Sequence, residues 1–161
     1  MYRAPPTCPA GYTFGMELRR AVPADLASLV PLFDGYRGFY GQPSDPGRAE
    51  RFLRERLDHG ESVIYLALDD NTAVGFVQLY PSFWSVAACR SWILNDLYVT
   101  PEHRGRGVAR ALLERARAHA EATGAHGMSL ATQHDNLTAQ RLYESLGWIK
   151  DEEFFHYELP L

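Results

Sequence analysis

Residues 95–109 read NDLYVTPEHRGRGVA, and this stretch predicts the end of a strand, a short turn and the first turn of a helix. A helix that starts after a tight turn leaves its first backbone N–H groups without intrahelical partners, at the positive end of the helix dipole. Gly105 and Gly107 carry no side chains, so an anion can approach those groups closely. We therefore expect this turn to bind a phosphate or pyrophosphate.

Composition limits the classes of protein to consider. The 161 residues suit one domain, and 46% hydrophobic with 22% charged residues is typical of a globular protein. The formal net charge of -4 argues against nucleic acid as a partner and is compatible with a cationic substrate. Neither a CxxC pair nor an apolar run of membrane-spanning length occurs, so we expect no membrane partner and a cytoplasmic location.

Hydrophobic periodicity around this stretch predicts alternating strands and helices. Pro31 is expected to kink or split the first helix, and residues 81–88 are expected to form a loop. Residues 1–15 are predicted to be a flexible tail before a single domain over 16–161, with Met16 as an alternative start of the native chain. The predicted strands are 16–22, 62–68, 73–80, 91–99, 126–132, 148–149 and 154–159, and the predicted helices are 23–40, 48–57, 108–123 and 137–146.

Two common phosphate-binding motifs do not fit the turn. A dinucleotide fingerprint needs a third glycine where this chain has Arg110, and a P-loop needs Lys-Ser/Thr where it has Val108 and Ala109. The turn and its surroundings instead resemble the Arg/Gln-x-x-Gly-x-Gly/Ala motif of the GCN5-related N-acetyltransferase (GNAT) family. Residues 136–148 (NLTAQRLYESLGW) resemble that family's second motif. The nearest likeness is to polyamine and small histone acetyltransferase-like members.

The resemblance implies an α/β fold with a mixed, mostly antiparallel sheet, splayed central strands and helices on both faces. It implies acetyl-CoA as co-substrate, with no metal. The pantetheine arm would pair with the strand before the turn, and the pyrophosphate would bind the turn itself. The cofactor-binding residues would be Leu97, Tyr98, Val99, Arg104, Gly105, Arg106, Gly107, Val108, Ala109, Asn136 and Tyr143.

The resemblance also implies direct acetyl transfer to a primary amine, on a small molecule or a lysine-type acceptor. Tyr143 resembles the family residue that protonates the leaving thiolate. Asp96 and Asn95 are the candidates for the base, but an asparagine cannot accept a proton at neutral pH, and related enzymes have glutamate at the position of Asn95. A water chain is the other route for the proton. That departure leaves a non-catalytic acyl-CoA-binding or sensing module as an alternative.

Structural roles compete with several of these assignments. Tyr143 can be a core residue, Asn136 a helix N-cap, and Asp96 a structural carboxylate. Three aromatic residues are predicted to line the acceptor pocket, although aromatic side chains more often belong to a core: Tyr36, Tyr40 and Trp84. The aromatic segment 154–157 is predicted to pair with the edge of a second copy in a homodimer.

Overall fold

Five strands form one sheet in the computed structural model, which describes residues 16–157 and 159–161. Their order follows the chain, and all pairs are antiparallel except β4 with β5. The strands are β1 (Met16–Arg20), β2 (Val63–Asp69), β3 (Thr72–Trp84), β4 (Cys89–Val99) and β5 (Gly127–Ser129). The helices are α1 (Leu26–Phe39), α2 (Pro46–Asp58), α3 (Val108–Ala122) and α4 (Leu137–Ser145).

The chain divides into two compact units, one ending at Leu130 and the other beginning at Ala131. The first contains the whole sheet with α1, α2 and α3, and the second contains α4. The predicted tail over 1–15 lies outside the described residues. In the part of the chain that the structure describes, no helix combines the length and apolarity needed to cross a bilayer.

Helices cover both faces of the sheet in the first unit. Ile64, Leu66 and Leu68 alternate along β2 and join the buried cluster that includes α1 and α2. The intervening Tyr65 points to the other face, where its hydroxyl lies 3.0 Å from Nδ1 of His119 on α3. Burial on both sides explains why β2 reads as a nearly continuous apolar run. The predicted mixed sheet with helices on both faces is confirmed.

Helix α1 is continuous, so of the two effects predicted for Pro31, a kink or a split, the split is wrong. Pro31 is solvent-exposed, and so is Ala27, the residue whose carbonyl would have accepted the missing hydrogen bond. Water can therefore satisfy that carbonyl, which reduces the cost of proline inside a helix. Helix α2 also begins two residues earlier than predicted, because Asp45 caps it through a 2.9 Å bond from the Arg48 N–H to its Oδ1.

The predicted loop over 81–88 is wrong in its first half, because β3 continues through Pro81 to Trp84. The last residue of β3 that pairs with β2 is Leu79, and beyond it β3 pairs only with β4. Pro81 therefore lies where β3 has become an edge strand, which is where proline is tolerated in a sheet.

The two closing strands predicted at 148–149 and 154–159 are also wrong for the residues that the structure describes. Glu158 lies outside them, and the others are not in strands. The Asp151 carboxylate instead accepts hydrogen bonds from the N–H groups of Glu153 and Phe154, which forms a local turn. Aromatic residues favour strands only where a neighbouring strand offers backbone partners, and none pairs with this segment in the described chain.

Candidate active site

The turn between β4 and α3 has the backbone geometry expected of an anion site. Gly105 and Gly107 have φ angles of 73° and 83°, in the left-handed region that favours glycine. The first intrahelical bond of α3 runs from the Ala111 N–H to the Gly107 carbonyl at 3.0 Å. The N–H groups of Val108 and Ala109 precede it, so the helix gives them no partner. A Cβ added at either glycine would meet nothing within 4 Å, so the space beside both is open.

The two arginines of the turn differ in their surroundings. Nε of Arg104 donates to the Val99 carbonyl at 3.1 Å, and its guanidinium lies 5.8 Å from the ring centres of Phe39 and Tyr98. The side chain of Arg104 thus ties the turn back to β4 and α1. Arg106 is solvent-exposed. Arg104 would therefore support anion binding indirectly, by holding the backbone of the turn in place.

Strand β4 offers backbone groups on one side near the turn. It pairs with β5 only from Ser91 to Ile93, whereas its pairing with β3 continues to Val99. Along Leu97–Val99, alternate N–H and C=O groups therefore face away from β3, without a strand partner among residues 16–130. An extended amide chain could pair with them as an added strand. This separation of β4 from β5 corresponds to the predicted splay of the central strands.

A β-bulge at Asn95 decides the direction of Asp96. Leu94 pairs with Leu79 and Asp96 pairs with Gln78, so Asn95 is an extra residue in β4. Each extra residue reverses the alternation of side chains after it. Asp96 consequently points to the sheet face covered by α1 and α2, although uninterrupted alternation from Leu94 would have directed it to the opposite face.

The Asp96 carboxyl is buried, with 3% relative exposure, and lies in a polar network. Its Oδ2 accepts from the Gln78 Nε2 at 2.6 Å, and its Oδ1 accepts from the Asn95 Nδ2 at 3.1 Å. Burial raises the pKa of Asp96, while hydrogen bonds from Gln78, Tyr36 and Asn95 oppose that rise. No Lys, Arg or His among the described residues forms an ion pair with Asp96. A buried carboxylate without a counter-ion is suited to bind a cation and to accept a proton.

Tyrosines surround this carboxyl. The Tyr36 hydroxyl lies 3.3 Å from the Asn95 carbonyl oxygen, and the Tyr36 ring contacts Tyr40 edge-on with centres 5.2 Å apart. Burial and the charge of Asp96 raise the pKa of Tyr40 and, more strongly, that of Tyr80. The structure thus brings together Asp96, Asn95, Tyr36 and Tyr40 from the predicted site residues.

Trp84 lies apart from this cluster. It pairs with Cys89 at the far end of the β3–β4 hairpin, six residues or about 20 Å along β3 from Gln78. Its ring lies over Gly127 and 5.7 Å from the ring of His126. The geometry therefore gives Trp84 a packing role at the start of β5. Its predicted acceptor contact finds no support in this position.

Sequence reasoning missed three polar residues of the network: Ser62, Gln78 and Tyr80. Gln78 interrupts the apolar run of β3 between Val77 and Leu79, and that interruption is the signal that could have revealed it. The connection from Ser62 through Gln78 to Asp96 could not be read from the sequence, because it depends on strand register.

Asn136 and Tyr143 belong to the second unit. Oδ1 of Asn136 accepts from the Ala139 N–H at 3.3 Å, and its Nδ2 donates to the Thr132 hydroxyl at 3.2 Å, so Asn136 caps α4. Tyr143 is partly buried, with its ring centre 6.1 Å from that of Trp148. The structural role considered for Asn136 is confirmed, and the catalytic and cofactor roles of both residues stay predictions.

Comparison with known proteins identifies the family. The sequence profile described as "Acetyltransferase (GNAT) family" matches residues 29–148. This chain belongs to that family. An uncharacterised N-acetyltransferase of Bacillus subtilis, YhfO, is 45% identical over 142 residues, which cover 88% of this chain and 95% of the relative. A crystal structure of a probable acetyltransferase is 47% identical, with a TM-score of 0.85, and the match covers 90% of this chain and 97% of that one.

More distant relatives are named for their acceptor. An aminoglycoside N(6')-acetyltransferase of Stenotrophomonas maltophilia is 26% identical over 148 residues, covering 89% of this chain and 93% of the relative. The structure of an aminoglycoside N-acetyltransferase, AAC(6')-Iy, in complex with CoA has the same fold at 23% identity. Its TM-score is 0.75, and the match covers 96% of this chain and all of that chain (100%).

These findings confirm the predicted activity, transfer of an acetyl group from acetyl-CoA to an amine. The relatives do not support the nearer likeness to polyamine and histone acetyltransferase-like members. The donor set of the turn also fits coenzyme A. It combines open N–H groups at a helix start, two left-handed glycines and an unpaired strand edge of β4, which match a pyrophosphate followed by an amide-bearing arm.

Proposed function

We propose that this acetyltransferase acts on a compact, positively charged primary amine, with Asp96 as the base. The observation that carries this proposal is the buried Asp96 carboxylate, which has no cationic partner among the described residues and lies beside Tyr36 and Tyr40. An ammonium group would supply the missing counter-ion, and tyrosine rings provide cation–π contacts for it.

Asp96 serves two purposes in this proposal. It first pairs with the acceptor ammonium and then takes a proton from it, so that the nitrogen becomes a nucleophile. A pKa raised by burial brings the carboxyl closer to neutrality, where a base is most effective. Asn95 contributes by forming the bulge and by donating its amide to Asp96, and it needs no proton of its own. This role accounts for asparagine at a position where related enzymes have glutamate.

Bound acetyl-CoA supplies the acetyl group as a thioester. Residues 104–109 would hold its pyrophosphate, and the free edge of Leu97–Val99 would align its pantetheine arm. As the new C–N bond forms and the C–S bond breaks, the departing sulfur needs a proton. The family resemblance assigns its donation to Tyr143, with Asn136 at the edge of the cofactor site. Transfer is direct, without a covalent enzyme intermediate.

Replacement of Asp96 by asparagine tests the base. Asp96→Asn keeps the size of the side chain but removes the proton acceptor, so kcat/KM should fall by about 10²–10⁴-fold, the usual contribution of a general base. Thiol release over a panel of amines measures the rate, and calorimetry should show unchanged affinity for acetyl-CoA. Full activity of this variant would refute Asp96 as the base. Wild-type protein that binds acetyl-CoA but acetylates no amine of the panel would instead indicate a sensing module.

The acceptor is proposed to be a small molecule. The names of the relatives support this choice, since they include aminoglycoside N(6')-acetyltransferases and a D-amino-acid N-acetyltransferase of Saccharomyces cerevisiae. One buried carboxylate, with no cationic partner among the described residues, favours a compact amine with one ammonium group close to the reacting nitrogen. The amine panel should therefore include amino acids, aminoglycosides and a lysine peptide. Preference for the peptide would contradict the proposal.

A homodimer through the C-terminal segment is a further proposal, supported by exposed apolar side chains. These are Phe154, Phe155, Tyr157, Leu159 and Leu161, each at least 72% exposed. Several large apolar side chains exposed along one segment are typical of interaction sites. Light scattering after size exclusion should give a dimer for the wild type and a monomer for Phe154→Ser/Phe155→Ser. A monomeric wild type would overturn it.

We also infer a cytoplasmic location, which cell fractionation tests.

A further inference from the structure

Gln78 is a completely buried amide in the middle of the sheet, with 0% relative exposure. It is the cross-strand partner of Asp96, and both ends of its amide are engaged. Nε2 donates to the Asp96 Oδ2 at 2.6 Å and to the Tyr80 hydroxyl at 3.0 Å, and Oε1 accepts from the Ser62 hydroxyl at 3.0 Å. A buried amide is tolerated at low cost only when such bonds are complete.

The orientation of this amide depends on its two neighbours. An ionised carboxylate only accepts hydrogen bonds, so the NH₂ group of Gln78 must face Asp96. Ser62 can donate to the oxygen at the other end, which stabilises this orientation. The chain Ser62–Gln78–Asp96 therefore favours the ionised form of Asp96.

Few other groups act on this carboxyl. Tyr36 acts on it from α1, Tyr40 from the C-cap that follows α1, Tyr80 from β3 and Asn95 from β4 itself. Two further charges, Arg56 of α2 and Glu61 after it, act on Tyr80. Burial raises the pKa of Asp96, and the hydrogen bond from Gln78 is the largest of the interactions that lower it.

We propose that Gln78 is a positioning residue for acetyl transfer, which holds the Asp96 carboxylate in place and ionised until it receives the acceptor's proton. The inference rests on the proposed role of Asp96 as base. In the step concerned, an N–H bond of the acceptor ammonium breaks and an O–H bond forms on Asp96. Gln78 gains and loses no proton.

A ¹³C NMR titration of the Asp96 carboxyl in the cofactor-free protein tests the effect of Gln78 directly, and Asp96→Asn assigns the resonance. Gln78→Met keeps the length of the side chain but removes the donor, so the pKa of Asp96 should rise by about one unit. Gln78→Glu adds a like charge and should raise it further. Ser62→Ala, a milder change, should give a smaller rise. An unchanged pKa of Asp96 in Gln78→Met and Ser62→Ala would overturn the proposal.

The pH profile of kcat/KM then connects this effect with catalysis. Its acidic limb should move to higher pH by about one unit in Gln78→Met, with the rate recovering above the limb. Tyr65→Phe is the matched control, because it removes one hydrogen bond from the opposite face of the sheet and should leave the limb in place. A limb that does not move in Gln78→Met overturns the positioning role. Full activity of Asp96→Asn would instead refute Asp96 as the base, which is the proposed role on which this inference rests.

Discussion

The Asp96 carboxyl is subject to opposing influences. Removal from water raises its pKa, and three hydrogen-bond donors stabilise its charge. An unopposed buried carboxylate would be protonated at neutral pH and useless as a base, whereas a fully stabilised one would be too weak to accept a proton. At Asp96 burial and these hydrogen bonds act on the pKa in opposite directions, which is compatible with the role of base proposed for it.

Tyr143 carries the other predicted proton transfer. Tyr143→Phe should lower kcat by about 10²-fold, the low end of the range for a general acid, because the leaving sulfur loses its proton donor. Affinity for acetyl-CoA, measured by calorimetry, should stay close to that of the wild type. Equal turnover of the variant and the wild type would remove Tyr143 from the mechanism.

His119 predicts a pH dependence of stability that is separate from catalysis. Burial and the charges of Arg20 and Arg115 lower its pKa in the folded protein. The unfolded state therefore binds more protons, and the free energy of unfolding should fall as the pH drops below the unfolded pKa of about 6.5. Urea denaturation between pH 5.5 and 7.5 measures this slope.

His119→Gln serves as the comparison, because glutamine is neutral throughout and can still bond the Tyr65 hydroxyl. Its stability should depend less on pH in that range. An identical slope in both proteins would show that His119 does not cause the effect.

At the scale of elements, the turn before α3 and the bulge in β4 have different origins. The turn depends on two glycines within three residues, so its backbone is determined locally. The bulge appears only when β4 pairs with β3, because it is a mismatch in the number of residues between two strands. The geometry of the turn predicted to bind the cofactor is therefore a property of one segment, whereas the direction of Asp96 is a property of a strand pair.

Two glycine substitutions distinguish the cost of a left-handed backbone from the effect of adding a methyl group. Neither Gly107 nor Gly38 has an atom within 4 Å of an added Cβ, but only Gly107 has a left-handed φ, of 83°. Gly107→Ala should cost about 1–2 kcal/mol of unfolding free energy and weaken acetyl-CoA binding. Gly38→Ala in α1 should stabilise by about 0.4–1 kcal/mol.

Urea denaturation measures both free energies, and calorimetry with acetyl-CoA measures the affinity of the Gly107 variant. Equal effects of the two substitutions on stability would contradict the role of φ. Wild-type affinity in Gly107→Ala would contradict the assignment of the pyrophosphate to this turn.

At the scale of the whole molecule, cofactor binding should raise the free energy of unfolding and therefore Tm. A ligand that binds only the folded state at 100 times its Kd adds about 2.7 kcal/mol. For a chain of this size the corresponding rise in Tm is about 5–10 °C. Thermal unfolding with acetyl-CoA should show this rise, and pantetheine, which lacks the pyrophosphate, should give a much smaller one. Equal rises with both would argue against the anion site.

Much of the first unit could be predicted from the sequence. Strand β2, helix α3 and the glycine turn follow from local periodicity and from residues with special backbone preferences. The predictions that were wrong are those that depend on the tertiary surroundings of a residue. Pro31 is tolerated because its surroundings are exposed, and Pro81 because it lies beyond the last β3 residue that pairs with β2. The described residues of the aromatic segment after Asp151 have no strand pairing.

The sequence by itself determined the family and the geometry of the turn predicted to bind the cofactor, because a glycine turn followed by an amphipathic helix encodes its own geometry within about fifteen residues. Only the tertiary structure decided which way Asp96 points and what holds it. Ser62 directly precedes β2, Gln78 lies on β3 and Asp96 lies on β4, and their hydrogen bonds exist only in one strand register. Contacts between residues so far apart along the chain depend on the folded sheet, and local residue preferences do not predict them.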